Sequence, residues 1–188
     1  MAAAVRLEVA VHPVGSFGRE VAGRIQSFAS GTTILPSREQ CLRPRPGSLI
    51  IVAMYHEDEA LCDAVDEAAY ETRTPWLPVF MDHPFLQAGP LIGPGRPGCY
   101  RCFRARRAQH ERHAKLLNEL RNERGKKCPE AFFPHHAAIA AGLAWKLAEE
   151  PDPMSTVLAW HVGSGLGYTA RVIACHRCSR CHRPGGDG

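Results

Sequence analysis

The residues best suited to chemistry in this chain are two Cys-x-x-Cys pairs, Cys99–Cys102 and Cys178–Cys181, each set among Gly, Pro or Arg rather than in an apolar run. The first reads Pro97-Gly98-Cys99-Tyr100-Arg101-Cys102 and the second His176-Arg177-Cys178-Ser179-Arg180-Cys181. A two-residue spacer lets one tight turn offer two thiolates to one ion. Two such pairs match a tetrathiolate zinc site, with sulfurs about 2.3 Å from the metal in a tetrahedron. Cys175-x-x-Cys178 is an equally legal pair, and a redox dithiol or a disulfide would use the same residues. Four thiolates leave no position for water or substrate, so a metal here would be structural and would pin the tail to the body.

The elements that position these cysteines are bounded by length and composition. With 188 residues the chain is one domain, or one domain with a small appendage, and its 45% hydrophobic content suits a globular core. No run of 18 apolar residues is present, and the N-terminal Met-Ala-Ala-Ala-Val-Arg lacks the layout of a signal peptide. Eight cysteines without such a signal predict a reducing, cytoplasmic setting in which a CxxC pair holds metal. Cys41, Cys62 and Cys128 stand alone and carry no assigned role.

The first half alternates strand and helix. Residues 6–12 read as a strand, followed by the turn Pro13-Val14-Gly15-Ser16-Phe17-Gly18 and a helix over 19–28 with Val21, Ile25 and Phe28 at helical spacing. Residues 32–35 form a short β-branched segment, and 48–54 a continuous apolar strand of the kind buried on both faces in a parallel sheet. An amphipathic helix over 59–72 leads to a strand over 76–81. This order predicts a Rossmann-like α/β layer with helices on both faces. Residues 1–98 would form that layer. Residues 99–188, packed with it as one unit, would add a basic helix, an apolar helix over 137–148, strands at 158–160 and 168–173, and the zinc-stapled end.

A dinucleotide fingerprint needs G-x-G-x-x-G after the first strand, so that backbone amides reach a pyrophosphate at the helix N-terminus. Only Gly15 and Gly18 remain of it, with Pro13 and Phe17 where small residues are wanted and no acid closing the second strand. The turn reads as a degenerate nucleotide site, a tight strand-to-helix connection without a ligand.

The Gly15–Gly18 turn, the stretch from Ala68 through Thr74-Pro75-Trp76-Leu77 into a strand, and Gly98-Cys99-Tyr100-Arg101-Cys102 together resemble the ThiF/MoeB-type, ubiquitin-activating-enzyme-like superfamily. The run from Gly89-Pro90-Leu91-Ile92-Gly93-Pro94-Gly95-Arg96 into that first knuckle, the Arg-rich helix after it, and the closing His176-x-Cys178-x-x-Cys181 are similar to a narrower branch. That branch comprises the ThiF-like partner proteins of YcaO cyclodehydratases, which make thiazole- and oxazole-modified peptides. The resemblance covers roughly residues 6–182. It implies a structural zinc on Cys99, Cys102, Cys178 and Cys181, with Cys175 left free. This assignment also suits Cys175 closing a strand while the other two lie in the turn beyond it. Metal loss is then expected to loosen the tail and expose the apolar face of the 137–148 helix.

Active members of the superfamily carry an acid, an Asn and an Arg after the strand equivalent to 49–54. Here Tyr55-His56-Glu57-Asp58-Glu59-Ala60-Leu61-Cys62-Asp63 offers Asp58 but no Asn or Arg, and no cation occurs between Arg45 and Arg73. Glu57, Asp58 and Glu59 therefore read as a solvated acidic helix start. The resemblance implies a non-adenylating subunit, with ATP used by its YcaO partner. The first strand begins within a few residues of Met1, leaving no room for the leader-gripping winged helix of many such proteins. The leader of the precursor peptide is then held either by another surface of this chain or by a separate protein. An ATP-dependent adenylating enzyme of the ThiF/MoeB type and a zinc-ribbon nucleic-acid binder are the competing classes, and a homodimer stays open.

Residues 101–127 hold ten Lys/Arg against Glu111, Glu119 and Glu123, a local charge of +7 where the whole chain has +4. Leu116, Leu117 and Leu120 share a face that would dock on protein. Arg104, Arg107 and Arg112 are the candidate partner-binding residues, against the plainer reading of a solvated face. The run lacks aromatics for base stacking, which argues against nucleic acid. His135 and His136 read as a helix cap rather than as metal ligands.

Overall fold

The computed structural model describes residues 8–110, 129–150 and 154–181. Strand β1 (Glu8–Pro13) leads through Val14 into helix α1 (Gly15–Phe28), then the two-residue strand β2 (Thr33–Ile34) and the single-turn helix α2 (Arg38–Cys41). Strand β3 (Ser48–Ala53), helix α3 (Glu59–Glu71) and strand β4 (Trp76–Asp82) complete the parallel part. A hairpin strand β5 (Phe85–Ala88), helix α4 (Tyr100–His110), helix α5 (Pro134–Glu149) and strands β6 (Thr156–His161) and β7 (Gly167–Arg171) follow. All seven strands form one sheet in the order β2-β1-β3-β4-β5-β6-β7. The β2, β1, β3 and β4 contacts are parallel, and those from β4 onward are antiparallel.

The α/β expectation holds, and β3 shows why its sequence is apolar throughout. Strand residues alternate between faces, so Leu49, Ile51 and Ala53 enter the core beneath α1 and α5. Ile50, Val52 and Met54 enter the core beneath α3 and α4. Every residue of β3 is buried. On the first face α1 offers Phe17, Val21, Ala22 and Ile25, and α5 offers Ala137, Ala140, Ala141, Ala144 and Leu147. The alanines let α5 lie close against α1. His136, in the first turn of α5, helps to cap it, its Nδ1 accepting the Phe133 N–H at 3.3 Å.

Gly18 sets how closely α1 approaches the sheet. A Cβ there would overlap the Ala53 carbonyl oxygen, a backbone atom that cannot rotate away. Gly18→Ala is therefore expected to lower stability by about 1–3 kcal/mol, the usual cost of overpacking a close contact. A urea midpoint unchanged from wild type would count against this packing.

Sequence periodicity missed β5. It is four residues long, flanked by Pro84 and Pro90, and only alternately buried. Its register against β4 (Val79 opposite Ala88, Asp82 opposite Phe85) turns the sheet antiparallel and brings β6 and β7 alongside. The basic helix expected over 101–127 is seen as α4 to His110. Leu116, Leu117, Leu120, Arg112 and Cys128 lie outside the described residues. No helix among the described residues is long and apolar enough to cross a membrane.

Candidate functional site

The first knuckle sits at the start of α4, where the Cys99 carbonyl accepts the Phe103 N–H at 3.0 Å and Cys102 lies in the first turn. Gly98 precedes it with φ +86°, and a Cβ there would press on the Val172 carbonyl and the Ser155 side chain. The knuckle thus depends on a glycine to lie flat against the chain leaving β7. The second knuckle follows a turn in which the Cys178 N–H donates to the Cys175 carbonyl at 3.2 Å and Arg177 takes φ +57°.

The fold brings the four sulfurs together. Cys99 and Cys102 Sγ are 3.8 Å apart, Cys99 and Cys178 3.7 Å, and Cys102 and Cys181 3.6 Å. All four lie within 4.8 Å of one another. Sulfurs at about 2.3 Å from a tetrahedral zinc stand about 3.8 Å from each other, so this donor set could hold zinc without rearrangement. Burial pushes the Cys102 thiol up to about 12 and the Cys99 thiol higher still. At Cys178 burial also acts upward, but amide hydrogen bonds from Cys181 and Arg180 and the neighbouring thiols outweigh it, bringing the group down to about 7. A dication would supply the charge that the buried pair needs to ionise.

Cys175 stands beside this cluster in a different role. Its backbone N–H donates to the Cys102 sulfur at 3.2 Å, the kind of contact that orients a ligand from outside the coordination sphere. Its own thiol meets the Cys102 carbonyl at 3.9 Å.

Arg180, between the two cysteines of the second knuckle, carries a contact that the spacing did not reveal. Its side chain is 3% exposed and reaches α3, pairing with Asp66 at 3.1 Å and Glu67 at 2.6 Å. Its guanidinium lies 4.5 Å over the Tyr70 ring. Asp66 also accepts from Trp76 Nε1 at 3.2 Å. Burial raises the Asp66 carboxyl above its ordinary value even with Arg180 and Trp76 acting in the other direction.

The cysteine cluster, α3 and α4 share one face of the sheet, whereas α5 packs with α1 on the other. This corrects the expectation that metal loss would expose the 137–148 helix. Loosening the tail would instead uncover α4 and the Tyr100 and Phe103 side beneath it.

The acidic start of α3 is solvated only in part: Asp58 is exposed as expected, whereas Glu57 and Glu59 turn toward α4. Asp58 caps the helix by accepting the Leu61 N–H at 2.9 Å. Glu57 is 6% exposed, accepts the Tyr100 hydroxyl at 2.7 Å, and pairs with Arg107. Arg104 pairs with Glu59 and, at 2.8 Å, with Asp63. Two of the arginines read as a partner surface therefore clamp α4 onto α3 within the chain, and Arg112 is outside the described residues. Arg106 likewise donates to the Ile173 and Ala174 carbonyls.

The Gly15–Gly18 turn lies at the C-terminal ends of β1 and β3, where the strand order reverses and Rossmann-like sheets open their crevice. Helix α1 has no side-chain cap of its own and no acid in its first turn. Glu130 takes that place, its carboxylate accepting the Ser16 hydroxyl at 2.5 Å and the Phe17 N–H at 2.6 Å. Beside it the Tyr55 hydroxyl donates to the Ala131 carbonyl at 2.8 Å, and Phe132 sets its ring edge-on to Phe17 at 5.1 Å.

No protein-family model and no curated protein matches the chain. Solved structures do. The heterocyclase TruD superposes with a TM-score of 0.66 at 19% identity, covering 94% of this chain and 28% of that one. A heterocyclase in complex with substrate and cofactor gives 0.67 at 17% identity, over 94% of this chain and 25% of that one. E. coli MccB with MccA gives 0.62 at 12% identity, over 94% and 67% respectively. The chain thus spans about a quarter of the length of the heterocyclases it matches. At these identities the likeness is one of fold, and the chain shares the α/β fold present in TruD and MccB.

Proposed function

We propose that this chain is a non-catalytic, ThiF-like partner subunit of a YcaO-type cyclodehydratase. It would position a ribosomal precursor peptide, or activate the YcaO subunit, while Cys, Ser or Thr side chains of that peptide close to azolines. The fold shared with TruD and with a substrate-bound heterocyclase supports this setting. The observation that carries the non-catalytic part is the β3–α3 turn. An adenylating site needs carboxylate and cation free to meet magnesium and triphosphate. Here Asp58 caps α3, and Glu57 is buried against Tyr100 and Arg107. The cysteine cluster would hold a structural zinc that braces the subunit.

Two measurements test the reading. The purified chain is expected to show no ATP–pyrophosphate exchange, with or without candidate peptides; exchange would return it to the adenylating class. Mixed with a YcaO protein and its precursor peptide, it is expected to raise the rate of water loss from the peptide, read by mass spectrometry. Unchanged dehydration by the YcaO protein with and without the chain would remove the partner role. Charge reversal of Arg104 and Arg107 is a poor probe of partner binding, because it also places Glu against Glu57 and Glu59.

A further inference from the structure

We propose that Glu130 is a tethered anion filling a latent phosphate site at the N-terminus of α1, so that the chain itself closes its strand-end crevice. The first amides of a helix form an anion site because their N–H groups lack partners and the helix dipole favours negative charge. In α1 this end lies where the strand order reverses, the usual place for a nucleotide in such sheets. It is not empty. Glu130 lies 113 residues beyond Phe17 in sequence, yet its carboxylate takes the Phe17 amide and the Ser16 hydroxyl together. Gly15 has φ +71°, and the volume that a Cβ would claim there is held by the Glu130 carboxylate.

The carboxylate does not act alone. Ala131 is held by its carbonyl on Tyr55, at the end of β3. Phe132 packs its ring on Phe17 and, at 6.2 Å, against Tyr55. Three consecutive residues thus present an anion, a carbonyl and an aromatic ring to the turn, the end of β3 and α1. Any phosphate reaching the α1 amides would have to displace the carboxylate first. A tethered competitor acts at an effective concentration of mM or above, so it weakens a free anion without contacting the rest of that ligand. The degenerate turn is then an occupied site, not merely a lost one. This inference deepens the non-catalytic reading above and rests on it.

Binding of inorganic pyrophosphate to the full chain, wild type against Glu130→Ala, tests the proposal by calorimetry at low salt. The variant is expected to bind about ten-fold more tightly or better, since removing the competitor returns the affinity that it suppressed. The gain should fade as salt is raised. If the alanine variant does not fold, Glu130→Gln keeps the side-chain volume and removes the charge, and is read in the same way. Equal affinity in wild type and folded variant overturns the plug while leaving the non-catalytic reading intact. Pyrophosphate exchange by the wild type overturns that reading, whatever the variants bind.

Discussion

Replacing Cys178 or Cys181 with serine is expected to take the chain from one zinc to none, while Cys175→Ser keeps its metal. Cys178 and Cys181 Sγ lie 3.7 and 3.6 Å from Cys99 and Cys102, the spacing that a tetrahedral site requires, whereas Cys175 meets the Cys102 sulfur through its backbone amide, which a serine retains. Apparent binding energies of structural zinc are about 10–16 kcal/mol in small peptides, so this is the largest single effect expected in the molecule. The sheet carries two cores of its own, and the loss should therefore be local. Hydrogen exchange should quicken in α4 and the tail and stay slow in α5, on the opposite face. The pH dependence has a definite sign. Burial raises the Cys99 and Cys102 thiols, so the metal must displace their protons and is released as pH falls. A zinc-free Cys175→Ser protein beside a fully loaded Cys181→Ser protein would show the assignment to be wrong.

Arg180→Ala should cost the fold about 3–5 kcal/mol, the usual penalty for leaving a buried charge without its partner. Arg180 and Asp66 are each 3% exposed, so water cannot take over the lost contact. The double variant Arg180→Met with Asp66→Asn is the informative control. It removes both charges while the new amide still accepts from Trp76, and part of the loss should return. Zinc in the single variant should become easier to extract with a chelator, because the second knuckle loses its anchor on α3. A single variant as stable as wild type in urea would show that the pair contributes nothing.

Some features could be read directly from the chain because their cause is local. The Cys-x-x-Cys spacing is fixed by covalent geometry, and the continuous apolar run of β3 has few uses other than a strand buried on both faces. The α1 and α3 helices announced themselves by apolar spacing. Other features depend on pairings that spacing cannot show. The arginines of α4 look like a charged surface until α3 is packed against them, and then Glu57, Glu59 and Asp63 absorb two of them. Arg180 stands in a polar turn with no apolar neighbour to announce burial, yet its side chain is 3% exposed. Glu130 carried no signal, since a single acid 113 residues from its partner belongs to no motif. Strand β5 was too short and too closely bounded by proline to register as a period.

The two halves of the cysteine cluster are also separated in time. Cys178 follows Cys102 by 76 positions, and at synthesis rates of about 5–20 residues per second the second pair follows the first by roughly 4–15 s. Through that interval Cys99 and Cys102 are a dithiol without the other two sulfurs of the cluster. The amide of Cys175, which braces Cys102, is made only at the end of the same interval. The first pair alone offers two of the four sulfurs that a tetrahedral site needs, so the site cannot be completed before the tail is made.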